Sequence, residues 1–155
     1  MTTTSALCDS LVKIVSKDFV SDQKEERYFY ARDGGLMPPH EPDFVVMPKT
    51  TAEVQEIVKL ANKEKVPLVP KGAGLALTGL VIPQRGGIVL DMKRMDRILE
   101  VNEKARYVVV EAGVTQGVLK SYLQKHHPHL RHSIPDSPPV ATIVANAVIH
   151  GQGRL

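Results

Sequence analysis

The segment from Phe44 to Pro70 constrains the fold more tightly than any other part of the chain. Phe44-Val45-Val46-Met47 is a short apolar run stopped by Pro48, and Thr50-Thr51-Ala52-Glu53 then supplies a capping box, in which the Thr50 hydroxyl and the Glu53 carboxylate each satisfy the other residue's free backbone N–H. Val54, Ile57, Val58 and Ala61 keep the spacing of one buried helix face up to Lys65, after which Pro67-Leu68-Val69-Pro70 reads as a second strand. Two strands joined through a helix in this way run parallel, as a βαβ unit. Beyond Pro70 the rhythm changes. The Gly-rich stretch from Lys71 to Gly79, then Pro83 and Gly86-Gly87, lead to three β-branched runs, Ile88 to Leu90, Ile98 to Val101 and Tyr107 to Glu111, with no helical pattern between them. These are expected to pair antiparallel, the last two through the short turn Asn102-Glu103-Lys104-Ala105. Gly113 and Thr115 open another helix, with Val118, Leu119, Tyr122 and Leu123 on its buried face and Lys125-His126-His127-Pro128 at its end. The fold class is α+β: a βαβ unit followed by antiparallel strands and a helix.

Ahead of this block, Leu7, Leu11, Ile14 and Val15 mark an amphipathic helix from Ser5 to Lys17, with Thr4 or Ser5 as its cap. The polar stretch Ser21 to Arg27, then Tyr28-Phe29-Tyr30 and the loop from Asp33-Gly34-Gly35 to Pro38-Pro39-His40, read as an arm. Residues 1–39 are thus an N-terminal helix and arm, and the main domain starts at residue 40. Arg32 and Asp33 are expected to form a local salt bridge. Beyond Ile134, three prolines and the small-residue run Ala141 to Ala147 define no element.

Composition removes several function classes. The single cysteine, Cys8, makes no internal disulfide and offers no Cys pair to zinc, which fits the cytoplasm. Twenty Lys and Arg against seventeen Asp and Glu give a net charge of +3, but the signs alternate, as in Lys24-Glu25-Glu26-Arg27. With no Trp and only 5% aromatic residues there is little material for stacking bases, so nucleic acid is not an expected partner. No apolar run nears the roughly 18 residues of a membrane span, and the N-terminus lacks a secretory pattern. His126, His127, His129, His132 and His150 cluster in sequence, yet no carboxylate stands among them at ligand spacing, and charge at a helix end is their better explanation than a metal. The chain has no Gly-x-Ser-x-Gly elbow, and Cys8 is remote in sequence from the histidines, so hydrolase readings fall away.

The Gly-rich loop remains the most informative chemical feature. Glycines directly after a buried strand let successive N–H groups approach an anion with no Cβ in the way. As a Rossmann fingerprint the loop fails, because Leu77 takes the place of the third glycine after Gly72 and Gly74 and no amphipathic helix comes next. Walker A fails too: Gly74 and Gly79 have the correct gap, but Leu80 and Val81 stand where Lys and Ser or Thr belong. Two readings are left, a tight turn beside the sheet or a diphosphate cradle, and Thr78 is either a turn cap or a phosphate contact.

Taken in order, Phe44-Val45-Val46-Met47-Pro48 with Thr51-Ala52-Glu53-Val54, then Val69-Pro70-Lys71-Gly72-Ala73-Gly74, Gly86-Gly87-Ile88-Val89-Leu90-Asp91 and Val110-Glu111-Ala112-Gly113-Val114 carry a family likeness. Residues 40–155 resemble the N-terminal part of the FAD-binding domain of the vanillyl-alcohol oxidase and p-cresol methylhydroxylase superfamily, in particular its glycolate oxidase and D-lactate dehydrogenase branch. The resemblance implies an FAD domain of two α+β subdomains with the cofactor extended between them. It implies that Lys71, Gly72, Ala73, Gly74, Leu75, Ala76, Thr78 and Gly79 form the diphosphate loop, with the amides of Gly72 to Ala76 and the Thr78 hydroxyl as donors. Oriented N–H dipoles supply the positive potential that such a neutral loop needs. A second cofactor segment of the family, a Pro-Asp element followed by Thr-Ile-Gly-Gly, is similar to Pro135-Asp136-Ser137 and Thr142-Ile143, but Val144 and Ala145 replace the paired glycines and narrow the space beside the flavin. Pro135, Asp136, Ser137, Thr142, Ile143 and Asn146 are the cofactor candidates there, with ordinary loop capping as the alternative for the polar ones. A histidine carries the flavin covalently in some members, and nothing in the sequence singles out His132 or His150.

Members of the family continue through a second FAD subdomain and a substrate-binding cap. The resemblance therefore implies that residues 40–155 are a partial FAD-binding domain, completed by more of the same chain or by a partner subunit. It implies a flavin-dependent oxidoreductase acting on a 2-hydroxy acid or related alcohol, with no residue here named as the base. The alternative is a degenerate, non-enzymatic half-domain that docks on a partner. The chain alone is expected to be inactive, because half a cleft cannot keep water from a flavin.

Overall fold

The computed structural model describes residues 2–132 and 137–149 and divides the chain into two compact units, one ending at Arg94 and the other starting at Met95. In the first, the elements in chain order are α1 (Thr2–Val15), β1 (Val20–Ser21), α2 (Lys24–Tyr30), β2 (Phe44–Val46), α3 (Thr51–Glu64), β3 (Leu68–Lys71) and β4 (Ile88–Asp91). The strands form one sheet in the order β1-β2-β4-β3. β4 runs parallel to both neighbours, with Val89 opposite Val45 of β2 and Val69 of β3, while β1 adds antiparallel at the edge, Val20 opposite Val46.

Side chains alternate across a strand, which explains why β2 and β4 are apolar on both faces. Phe44, Val46, Ile88 and Leu90 pack against Leu11 and Val15 of α1 and Ile57 and Ala61 of α3. Val45 and Val89 form a separate cluster with Tyr30 of α2. The expected capping box starts α3: Glu53 N donates to Thr50 Oγ1 at 3.2 Å, and Thr50 N donates to Glu53 Oε2 at 3.3 Å. Lys65, left-handed at φ 56°, ends it. Ile57 and Ala61 are buried as the spacing predicts, whereas Val58 faces outward.

β4 departs from the expected antiparallel pairing. It lies between the two strands of the βαβ unit and parallel to both, because the connection over residues 72–87 exceeds the dozen or so residues that a parallel crossover needs, even without a helix. Gly86 and Gly87, at φ 66° and 84°, turn the chain into it. α1 stands where the helix from Ser5 to Lys17 is expected and fills the core, and the segment expected to be an arm has structure of its own, since β1 extends the sheet and α2 delivers Tyr30. Nor do Arg32 and Asp33 pair. The Arg32 guanidinium donates to the Tyr28 hydroxyl at 3.3 Å, and the Asp33 carboxylate accepts from two glycine amides.

The second unit holds β5 (Ile98–Asn102), β6 (Tyr107–Val110), α4 (Gln116–His126) and α5 (Ile143–Val148). β5 and β6 form the expected antiparallel hairpin, Val101 opposite Val108, with a bulge between Ile98 and Glu100. Beyond the hairpin, Arg97 donates to the Glu111 carboxylate from its backbone N–H and its guanidinium at 2.7–3.0 Å. Val114, Leu119 and Leu123 make the core with Ile98, Val101, Val108, Val110, Leu130 and Ile143. Thr115 caps α4 by accepting from Val118 N at 3.2 Å. Val118 and Tyr122, expected to be buried, are exposed; a single helix on a two-stranded ribbon buries only a narrow stripe, and Gln116 joins Leu119 and Leu123 in it. α5 occupies most of the small-residue run, whose composition carries no helical stripe. Among the described residues, no helix is long and apolar enough to cross a membrane.

Candidate functional site

In a sheet of parallel strands, the loops leaving the carboxyl ends lie along one edge, where ligands bind in open α/β structures. In the first unit these loops leave Val46, Lys71 and Asp91. Lys71 ends β3, and its side chain turns back under the glycine-rich loop. Only 6% exposed, it donates from Nζ to the carbonyls of Arg32 at 2.7 Å and Tyr30 at 3.4 Å. Burial pushes its pKa below the usual lysine value, with Asp91 and Asp33 pulling the other way. Gly74, left-handed at φ 71°, passes over this side chain, and a Cβ there would come within 2.6 Å of Lys71 Cε.

The far end of the loop is held as well. Gly79 donates its N–H to Asp33 Oδ2 at 2.7 Å, and the Ala76 carbonyl accepts from Gly34 N at 2.9 Å. Between these anchors, the N–H groups of Gly72, Ala73, Gly74, Leu75, Ala76, Leu77 and Thr78 donate to none of the described residues. Backbone donors demand an acceptor, and a succession of them on a strand-end loop concentrates positive potential suited to an anion. The Thr78 side chain is exposed at the same place.

Beside the loop lies a polar group that sequence reasoning missed. The Tyr30 hydroxyl donates to Asp91 Oδ2, and Lys93 Nζ stands 3.1 Å from that hydroxyl and 2.9 Å from that carboxylate oxygen. Burial, reinforced by the bond to Asp91, pushes the Tyr30 pKa up to about 12, so the phenol stays protonated. A carboxylate ending an otherwise apolar strand was the available signal, since a buried charge must find a partner. Asp33, expected to pair with Arg32, anchors the glycine loop instead.

The second cofactor segment falls in the second unit. Thr142 precedes α5 and bridges Thr115 across an isolated antiparallel pair. Its hydroxyl is buried, the residue being 5% exposed, and has no hydrogen-bond partner among the described residues. Ser137 and Asn146 meet each other, Asn146 Nδ2 donating to Ser137 Oγ at 2.8 Å. Ile143 packs into the second core and donates its N–H to the Val114 carbonyl at 3.0 Å. Val144 and Ala145 sit within α5. Pro135 and Asp136 lie outside the described residues, as do His150, Gly151 and Gly153. Of the other histidines, His127 and His129 both bond to Glu103, at 2.5 and 2.8 Å, and hold its carboxyl below the usual range. His132 Nε2 lies 2.5 Å from Gln116 Oε1, and burial lowers its pKa.

These residues fit a dinucleotide cofactor. The first unit offers a left-handed glycine and a succession of amides with no partner among the described residues, donors of the kind a diphosphate needs, and the second offers a buried hydroxyl with no partner among the described residues. Residues 42–154 match the family described as FAD binding domain. Over 119 residues the chain is 31% identical to the mitochondrial D-lactate dehydrogenase (cytochrome) of Arabidopsis thaliana, which takes in 76% of this chain and 21% of that protein. It is 32% identical over 106 residues to the glycolate oxidase subunit GlcD of Bacillus subtilis (strain 168), covering 68% of this chain and 23% of that one. Among solved structures, the 4-ethylphenol oxidase from Gulosibacter chungangensis matches with a TM-score of 0.88 and 26% identity, over 99% of this chain and 30% of its own. The chain thus spans less than a third of the length of each of these proteins.

Proposed function

The chain belongs to the FAD-binding domain family, and from that premise we propose that residues 72–78 hold the diphosphate of FAD in a flavin-dependent oxidoreductase acting on a 2-hydroxy acid or related alcohol. The observation that carries this reading is the succession of amides, between the anchors at Lys71 and Gly79, that have no partner among the described residues. The amides of Gly72, Ala73, Gly74, Leu75 and Ala76 donate to the phosphates, and Thr78 adds its hydroxyl. Lys71 and Gly79 serve the site by holding the ends of the loop. Pro135, Asp136, Ser137, Thr142, Ile143 and Asn146 form the second cofactor segment, a role favoured by the orphaned Thr142 hydroxyl.

Once bound, FAD supplies the two-electron acceptance that alcohol oxidation requires. The part of this chain is to bind and orient it: backbone dipoles offset the diphosphate charge, and the protonated Tyr30 with Asp91 and Lys93 braces the strand ends beside the loop. The base, the rest of the FAD domain and the substrate cap belong to further sequence, in the same chain or in a partner subunit. Oxidation of a phenolic substrate is a second reading, favoured by the 4-ethylphenol oxidase match, which takes in nearly the whole chain.

Titration of FAD with the purified chain, followed by flavin fluorescence, tests the cradle. Saturable quenching is expected in the wild type and is lost in Gly74→Val, which cannot hold φ 71° or clear Lys71. Equal signals from both proteins, or none from the wild type, overturn it. The chain alone is expected to turn over neither D-lactate nor glycolate, and measurable turnover would overturn the need for further sequence.

A further inference from the structure

The loop over residues 72–78 does not hold its shape unaided, for a second loop is pressed against its back. Asp33 Oδ1 accepts from Gly35 N at 2.9 Å, which folds Asp33-Gly34-Gly35 into a tight Asx turn, and Oδ2 reaches across to Gly79 N at 2.7 Å. Gly34 N donates to the Ala76 carbonyl at 2.9 Å. Gly35 lies so close behind Leu77 that a Cβ on it would fall 2.3 Å from the Leu77 carbonyl oxygen. Both carbonyls, of Ala76 and of Leu77, therefore face the Asp33 turn. In a planar trans peptide the N–H points opposite to the C=O of the same unit, so the amides of Leu77 and Thr78 are turned to the open side.

We propose that Asp33, Gly34 and Gly35 are the positioning element of the diphosphate loop, and that they aim the amides of Leu77 and Thr78 at the phosphates as two further donors. This rests on the FAD reading above. Asp33 does not touch the cofactor; it acts through Gly79 and through the turn it closes. A carboxylate suits this place because it accepts two N–H bonds at once, whereas an asparagine turns one donor toward an N–H.

The test measures dissociation constants of the full 155-residue chain for FAD, by fluorescence, and for ADP, which carries the diphosphate without the flavin, by calorimetry. Amide resonances of Leu77 and Thr78 are followed during the ADP titration. In the wild type both resonances shift on saturation. Asp33→Ala and Gly35→Ala are expected to weaken FAD and ADP alike by about tenfold, the effect of misdirecting a pair of donors to a charged group, and to lose those shifts. Asp33→Asn, which keeps one acceptor oxygen, falls between. Ile57→Val, a core truncation far from the loop, lowers the melting temperature and leaves both constants unchanged. Dissociation constants for Asp33→Ala and Gly35→Ala within twofold of the wild type would overturn the proposal while leaving the FAD reading in place. So would an equal loss in Ile57→Val, which marks a general effect of stability. A wild-type chain that binds neither FAD nor ADP overturns the FAD reading, and this inference with it.

Discussion

Burial of the Tyr30 ring and the bond from its hydroxyl to Asp91 disfavour the phenolate, Lys93 opposes them, and the pKa comes to about 12. Since an unfolded tyrosine titrates near 10, the fold stabilises the protonated phenol, and that contribution is complete below pH 10 and lost as the pH rises through 12. Lys71 acts in the other direction. Its folded pKa lies below 10.5, so its unfolded form binds the proton more readily and stability rises with pH just below that value. Denaturant titrations across alkaline pH are expected to fall above pH 10 in the wild type and more gently in Tyr30→Phe; parallel slopes would mean that Tyr30 is not the group responsible. A glycine gives the steric counterpart. Gly87 is at φ 84°, and a Cβ would stand 2.2 Å from the backbone oxygen of Pro67, so Gly87→Ala must shift β4 or the end of the α3 connection. A loss of about 2–4 kcal/mol in urea unfolding is expected, well above the ordinary surface substitution.

Two helices start on threonine caps of unequal strength. Thr50 takes part in a reciprocal box with Glu53, which also accepts from Lys49 N at 2.6 Å, whereas Thr115 makes only the single bond to Val118 N. Thr50→Ala and Thr115→Ala each remove one hydroxyl acceptor and are expected to cost about 0.5–2 kcal/mol, while adding Glu53→Ala to Thr50→Ala removes the rest of the box and should cost about 1 kcal/mol more, read from chemical denaturation of the whole chain. No further loss on adding Glu53→Ala would mean that the return bond from Thr50 N to Glu53 contributes nothing. Such caps also explain which elements were legible in the sequence. α3 and its flanking strands are encoded locally, by a box, a 3.6-residue stripe and two proline-bounded apolar runs, and they appear where those signals stand. The position of β4 was not legible, because strand order is a non-local choice and the long β3–β4 crossover carries no helix to announce it. α2 was hidden because it buries only Tyr30, too little to imprint a stripe on Lys24–Tyr30. At the loop, Gly72 and Gly74 were visible as glycines. The task of Lys71 was not, because the carbonyls it bonds come from residues 30 and 32, and the same distance along the chain hid the tie from Asp33 to Gly79.

At the scale of the whole chain, apolar side chains stand in solvent on both units. Leu77 is 70% exposed and Leu80 63%, with Leu36, Met37 and Leu75 nearby in the two opposed loops of the first unit. In the second unit, Val108 and Val110 turn into the core, while Tyr107 and Val109 occupy the opposite face of the β5–β6 ribbon and Leu99 is exposed at its bulge. A two-stranded ribbon is marginal by itself and presents unpaired edges, and exposed apolar patches of this kind promote association. The purified chain is therefore expected to enhance the fluorescence of an apolar dye such as ANS and to self-associate as its concentration rises. Val109→Glu combined with Leu99→Glu separates this from partial unfolding. Both side chains face solvent, so the double variant should reduce dye binding and association while its melting temperature stays within a few degrees of the wild type. If it unfolds instead, the ribbon's outer face is part of the core, and the dye signal reports a loosely packed fold rather than an exposed apolar surface.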